Sequence, residues 1–242
     1  MIFNYIQLRR FFRCIRDMGS TELFRNWRGN KVFLLRHDVD FDIRLARDLA
    51  VIEKEEGVVS TFFILTSCPT YNVLDKTNRQ LLQEIASLGH EIGLHFDPTV
   101  YDEACLRPAV DKEADVLSFA VGQEVKSISL HNPSVHGQYP MFDGYVNAYD
   151  PSLFSDQNYL SDSCYSFRNK DPFAFIKNID NGMLQILLHP MHYSRDGDGY
   201  DTVIVRSLQR YMKELHASFS VNTTYRQHIG EDLIATFRER SP

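Results

Sequence analysis

No stretch of this 242-residue chain reaches the roughly 18 uncharged apolar residues that a membrane-spanning helix requires, so no membrane insertion is expected. The opening segment MIFNYIQLRRFFRCIRDMGS breaks up its apolar positions with Arg9, Arg10, Arg13, Arg16 and Asp17. A secretory signal needs an uninterrupted apolar core, so a cytoplasmic location is expected. Runs of Lys and Arg are also missing, and the net charge is -6 with a pI near 5.8. Such a chain offers no track for a polyanion, and nucleic acid is not an expected partner. Cys14, Cys68, Cys105 and Cys164 form no CxxC pair, which excludes a zinc ribbon or a dithiol redox motif. Free thiols are expected; two disulfides are the alternative, disfavoured without a secretory segment. Internal repeats, low-complexity tracts and an inter-domain linker are absent as well.

Apolar residues make up 43% of the chain and charged residues 24%, a globular balance that leaves little room for disorder. One domain over residues 1–242 is expected, with a covering helix in 1–20, a core in 31–192 and a helical segment in 200–240. In the first, Ile2, Ile6, Phe11, Phe12 and Ile15 recur at helical spacing and Gly19 stops the helix. Core packing is its expected job, and its arginines leave a membrane-surface role as the alternative. Next come VFLL as a strand, IRLARDLAVIEKEEG as a helix ended by Gly57, and VVSTFFIL as a β-branched and aromatic strand. Thr77 and Gln80 form a T-x-x-Q capping box before QLLQEIASLG, which leads into the strand EIGLH. Residues 102–120 read as a helix, SISLH as a strand, and MLQILLH as a strand buried on both faces. Strands alternating with helices predict an α/β fold with a parallel sheet, which can close into a barrel. The turn-rich stretch 131–158 is too long for a connector and is a candidate substrate loop.

Metal-competent residues recur where these apolar runs end. VFLL is followed by Arg36, His37, Asp38, Val39 and Asp40; EIGL by His95; SISL by His131; and MLQILL by His189, with His192 just beyond. In parallel α/β folds the carboxyl ends of the strands carry the site. Asp38 and Asp40, two apart, share one face of an extended segment, and two neighbouring carboxylates persist most readily around a cation or with one protonated. The alternative is that one pairs with Arg36, or that the acidic run caps the next helix through Asp42. His90, at the entry end of its strand, reads as structural.

LLRHDVDFD, VVSTFFIL and LGHEIGLH, in that order and spacing, resemble the polysaccharide deacetylase family, also called the NodB-homology or carbohydrate esterase 4-like deacetylases. RHDVD, HNP, YLSDS and LLHP are similar to a divergent branch associated with bacterial O-antigen and other surface-polysaccharide gene clusters. The resemblance spans about Val32 to His192. It implies an irregular seven-stranded (β/α) barrel and a hydrolase that cleaves a C–N amide bond, acting on an acylated amino sugar with a divalent metal, Zn2+ by preference. It implies Asp38 as base, Asp40 and His95 as ligands, and His189 as acid. The family separates its aspartates by nothing, whereas Val39 stands between these two, leaving base and ligand interchangeable. Thr99 occupies the place of a second histidine, and His131 is the replacement ligand, with water as the alternative. Arg36, Asn132, Asp162 and His192 are candidate substrate-binding residues, and Asp162 could instead orient His189. Tyr139 and Tyr193 could meet sugar hydroxyls. Two other readings remain open: a non-catalytic saccharide- or partner-binding protein, and hydrolysis of a formamide, O-ester or cyclic amide on the same scaffold.

Overall fold

The computed structural model describes residues 3–230 and 232–240. The first helix, α1 (Tyr5–Met18), is capped by the Asn4 side chain, which accepts from the Gln7 N–H, and ends before Gly19. Leu8, Phe11, Phe12 and Ile15 form its buried face, the stripe that a period of 3.6 residues dictates. Ile6 does not join them and is largely exposed, since two residues before Leu8 it lies on the far side of the helix. Ile2 lies outside the described residues.

Three strand–helix units follow: β1 (Phe33–Val39) with α2 (Ile43–Glu56), β2 (Thr61–Leu65) with α3 (Lys76–Ser87), and β3 (Glu91–Phe96) with α4 (Leu106–Val121). After β4 (Ser127–Leu130) come the short α5 (Pro133–His136), β5 (Val146–Asn147), β6 (Tyr159–Ser161) and α6 (Pro172–Phe175), and then β7 (Leu184–Leu188). Asp42 caps α2, its carboxylate accepting from the Arg44 N–H, and Gly57 ends the helix at φ 76°, a conformation glycine adopts at no steric cost. The cap of α3 is Asp75, accepting from the N–H groups of Thr77 and Asn78, rather than the expected Thr77. A carboxylate one step before the helix satisfies those free donors directly.

All seven strands pair in parallel, in the order β5-β4-β3-β2-β1-β7-β6. A flat sheet would put β1 and β4 roughly 14 Å apart, three steps of about 4.8 Å. Yet Arg36 on β1 donates to the Ser129 hydroxyl on β4 and, at 3.1 Å, to Gln185 on β7. Gln185 in turn donates to the carbonyls of Ala148 and Leu153, just beyond β5, at 3.0 Å each. The sheet is therefore curled into a half-barrel whose gap between β5 and β6 is bridged by side chains.

This curl creates two apolar layers. The larger one fills the space between the sheet and its helices; the smaller, with Phe24, Leu34, Phe63, Leu153 and Met183, lies inside the curl. Phe24, on a short turn before β1, meets Phe63 edge-on at 5.4 Å and seals the end at which the strands begin. Gly93 belongs to the same interior. A Cβ there would stand 2.6 Å from the Phe63 ring and 3.0 Å from the Ser127 carbonyl oxygen, so only glycine fits.

Contacts divide the chain into two compact units, Met1–Gly197 and Asp198–Pro242. The second unit holds α7 (Tyr200–Phe219), α8 (Thr223–Ile229) and α9 (Leu233–Arg240), with α7 packed on α9. Among the described residues no helix is long and apolar enough to cross a membrane. The four cysteines are free thiols.

Candidate metal centre

Alternation along β1 sorts its polar residues by face. His37 points outward to α2, where its Nε2 lies 2.8 Å from Glu53. Glu53 also accepts from the Ser60 hydroxyl at 2.5 Å, and His90 joins through Ser60 at 3.1 Å and the Ala50 carbonyl at 3.0 Å. All four side chains are buried. Burial disfavours the Glu53 carboxylate, but His37 beside it holds the group below its ordinary value, whereas burial pushes His90 down. His90 is thus a structural histidine that braces the sheet against α2.

Arg36 and Asp38 point into the curl, and Asp40 follows where β1 ends. Arg36 grips Asp38 with two parallel bonds, Nε to Oδ1 at 2.8 Å and Nη2 to Oδ2 at 2.7 Å, the fork geometry that fits a carboxylate. It also donates to the Tyr149 hydroxyl at 3.0 Å and lies 4.6 Å from that ring's centre. Arg36 has no exposed surface, so it cannot touch a sugar as expected; alternation turned it inward. Burial alone would raise the Asp38 carboxyl, but Arg36, together with His95 and His189, lowers the group.

Asp40, His95 and His131 converge on a single point. His95 Nε2 lies 3.1 Å from Asp40 Oδ1, His131 Nδ1 lies 3.2 Å from His95 Nε2, and His131 Nδ1 lies 3.7 Å from Asp40 Oδ1. A tetrahedral shell with bonds of about 2.0–2.1 Å has edges of about 3.3 Å. The three ligand atoms therefore stand where such a shell needs them. Asp40 Oδ1 is buried and accepts no well-aligned hydrogen bond, as expected of an atom shaped to meet a cation. Burial opposes ionisation of Asp40, yet His131 and His95 hold its carboxyl well below the usual range. Burial also opposes charge on His131, and Asp40 more than compensates, raising it.

The other ring atoms are held from behind. Ser129 Oγ lies 3.1 Å from His95 Nδ1 and 3.4 Å from Asp38 Oδ1. The Asn132 amide, which is exposed, lies 2.9 Å from His131 Nε2, so its part in this structure is to steady a ligand ring. Thr99 is not in the cluster; its N–H and hydroxyl both bond Asp97, at 2.9 and 2.6 Å.

On the other flank, His189 Nδ1 lies 2.6 Å from Asp162 Oδ1, and its Nε2 lies 3.7 Å from Asp40 Oδ2. Asp162 also accepts from the His189 N–H at 3.0 Å and lies 3.2 Å from His192 Nδ1. Burial disfavours an imidazolium, but Asp162 pushes His189 up to about 9. Asp162 itself is held far below the usual carboxylate range: burial works against the charge, and His189 prevails. Asp162, His192 and Tyr193 are all buried, and Asp162 holds His189, the alternative part expected of it. His192 packs against Phe3 and Tyr165, with ring centres 6.0 and 5.4 Å away.

Several solved structures are similar to this chain over most of its length. The peptidoglycan deacetylase PdaC from Bacillus subtilis matches with a TM-score of 0.45 and 18% identity, over 84% of this chain and 98% of that one. The Bc1960 peptidoglycan N-acetylglucosamine deacetylase matches with a TM-score of 0.46 and 18% identity, over 75% and 83%. BA3943, a CE4 family pseudoenzyme from Bacillus anthracis, matches with a TM-score of 0.43 and 18% identity, over 75% of this chain and 62% of that one, so this chain spans less than two thirds of its length. No family model and no curated protein matches. With identities this low, the chemistry rests on the side chains themselves.

Three site residues have no counterpart in the sequence expectations: Ser129, Gln185 and Tyr149. Ser129 was the most accessible. In SISL the serines alternate with Ile128 and Leu130, so both serines face the interior, where Ser127 bonds Glu91 at 2.7 Å.

Proposed function

We propose that this chain is a metal-dependent hydrolase that removes an acyl group, N-acetyl in the first instance, from an amino sugar. The observation that carries this reading is the convergence of Asp40 Oδ1, His95 Nε2 and His131 Nδ1 at 3.1–3.7 Å, flanked by one ion-paired carboxylate and one carboxylate-backed imidazole. A divalent ion such as Zn2+ held by these atoms would polarise the acyl carbonyl and acidify a water. Asp38, kept ionised by Arg36, accepts the water proton. Its carboxylate lies 3.6 Å from His95 Nε2, at the edge of the same cluster. His189, kept protonated by Asp162, gives the proton on Nε2 to the departing amine. The short bond from Nδ1 fixes which nitrogen faces the substrate. The likeness of RHDVD, HNP and LLHP to the surface-polysaccharide branch supports a place in cytoplasmic assembly of a bacterial polysaccharide such as O-antigen.

The test is metal content after gentle purification, together with acetate release from N-acetylglucosamine and tri-N-acetylchitotriose. His131→Ala should lose the metal, whereas Asp38→Asn should keep it and lose at least about 10²-fold in rate. A protein that binds no Zn2+ even when it is supplied, with His131→Ala indistinguishable from the parent, rules the reading out.

A further inference from the structure

The hydroxyl of Ser129 stands between a candidate ligand and the candidate base. Ser129 lies on β4 and has no exposed surface. Three groups reach its Oγ: Arg36 donates to it from Nη2, His95 Nδ1 lies 3.1 Å away, and Asp38 Oδ1 lies 3.4 Å away. A serine hydroxyl carries one proton and two acceptor lone pairs, a guanidinium only donates, and an ionised carboxylate only accepts. Arg36 therefore fills one lone pair, and the other lone pair and the proton are divided between His95 and Asp38.

This leaves two settings. With the hydroxyl aimed at His95, Nδ1 accepts, so the hydrogen of the neutral ring sits on Nε2. That nitrogen, 3.1 Å from Asp40 Oδ1 and 3.2 Å from His131 Nδ1, then has no lone pair for a cation. With the hydroxyl aimed at Asp38, its second lone pair accepts from the Nδ1 hydrogen and Nε2 is bare. The second setting uses every donor and acceptor of the hydroxyl and gives its proton to a charged acceptor, the stronger kind. The first leaves a lone pair idle, and its Nε2 hydrogen is not aimed at Asp40 Oδ1, which accepts no well-aligned bond.

We infer that Ser129 is a positioning residue that sets the tautomer of His95, keeping the ring hydrogen on Nδ1 so that Nε2 meets a cation with its lone pair. Arg36 and Asp38 set the direction of the hydroxyl, so the buried ion pair and the ligand cluster are coupled through a single oxygen. The inference deepens the proposed metal site and rests on it.

The test reads tautomer and metal separately. Long-range proton–nitrogen spectra of zinc-free protein with isotope-labelled histidine, at alkaline pH, show which ring nitrogen of His95 carries the hydrogen. Competition with a chelating dye gives the Zn2+ affinity. The parent should carry the hydrogen on Nδ1; Ser129→Ala should move it to Nε2 and weaken Zn2+ binding about 10–100-fold. Ser129→Thr keeps the hydroxyl and should preserve both readouts. Ser127→Ala removes another buried hydroxyl from the same face of β4, one that bonds Glu91 at 2.7 Å, and should change neither. A parent with the hydrogen on Nε2, a tautomer unmoved in Ser129→Ala, or a loss of affinity as large in Ser127→Ala overturns the inference. If the parent binds Zn2+ but Ser129→Ala leaves tautomer and affinity unchanged, the inference fails and the metal site stands. If the hydrogen moves with Ser129 but the parent binds no Zn2+, the tautomer assignment stands and the hydrolase reading fails.

Discussion

Arg36 is the residue whose removal separates the ion-paired interior from an ordinary core. Its guanidinium is fully enclosed, and its partner Asp38 is only 3% exposed. Arg36→Met keeps an unbranched side chain of similar length but deletes both bonds to Asp38 and those to Ser129, Gln185 and Tyr149. Removing one partner of a buried ion pair typically costs about 3–5 kcal/mol, because the other charge stays buried without compensation. For a unit of this size each kcal/mol lowers the melting temperature by roughly 2–4 °C, so the expected fall is about 6–20 °C.

Trp27 is the chain's one tryptophan and packs against the inner cluster, so its fluorescence during urea unfolding, with EDTA present, reports on the curled sheet. The double variant Arg36→Met with Asp38→Leu should recover at least half of the loss, since replacing both partners of a buried pair with apolar groups is often near neutral. A single variant that loses less than about 1 kcal/mol, or a double variant as unstable as the single, would refute the view that the pair is enclosed and mutually dependent.

Two further outcomes follow from the same interior. Asp162→Asn removes the charge that raises His189 to about 9. A general acid must be protonated, so the rate falls as pH rises through its pKa, and in this variant that fall should move to lower pH while kcat drops roughly 10²-fold or more; an unmoved basic limb of the pH–rate profile would remove His189 from the role. Gly93→Ala puts a methyl group 2.6 Å from Phe63, and the overpacking should cost about 1–3 kcal/mol in urea unfolding, with Phe63→Leu in the same chain restoring part of it.

The strand-end histidines and aspartates were legible because a parallel strand buried on both faces reads as an apolar run, and the first polar residue after it marks the carboxyl edge of the sheet. That pattern pointed to Asp40, His95 and His131 without knowledge of the sheet order. The identity of the braces was not legible. An arginine inside a half-barrel looks in sequence like any strand-end cation, and only the curl of the sheet, which brings β4 and β7 within its reach, shows that it is enclosed. β5 and β6, with two and three residues, are too short to carry a period of two. The cap of α3 was misplaced by two residues: a Thr77 cap would serve the N–H groups of Arg79 and Gln80, whereas Asp75 accepts from those of Thr77 and Asn78, so the helix begins at Lys76.

The spacing Arg-x-Asp-x-Asp also accounts for Val39. Adjacent aspartates in an extended strand would point to opposite faces; with Val39 between them, Arg36, Asp38 and Asp40 all face the interior. Arg36 neutralises Asp38 at 2.7–2.8 Å, which leaves the charge of Asp40 unbalanced among the imidazoles of His95, His131 and His189. His189 is already committed to Asp162 at 2.6 Å. The Asp40 side chain is partly exposed but its Oδ1 is buried, and a buried charged oxygen needs compensation; beside it the candidates are a proton on His131 and a metal cation shared by His131 and His95. The two differ in sign on acidification. A metal site weakens as His131 takes up a proton, whereas an ion pair between Asp40 and a protonated His131 persists until the carboxylate itself is protonated.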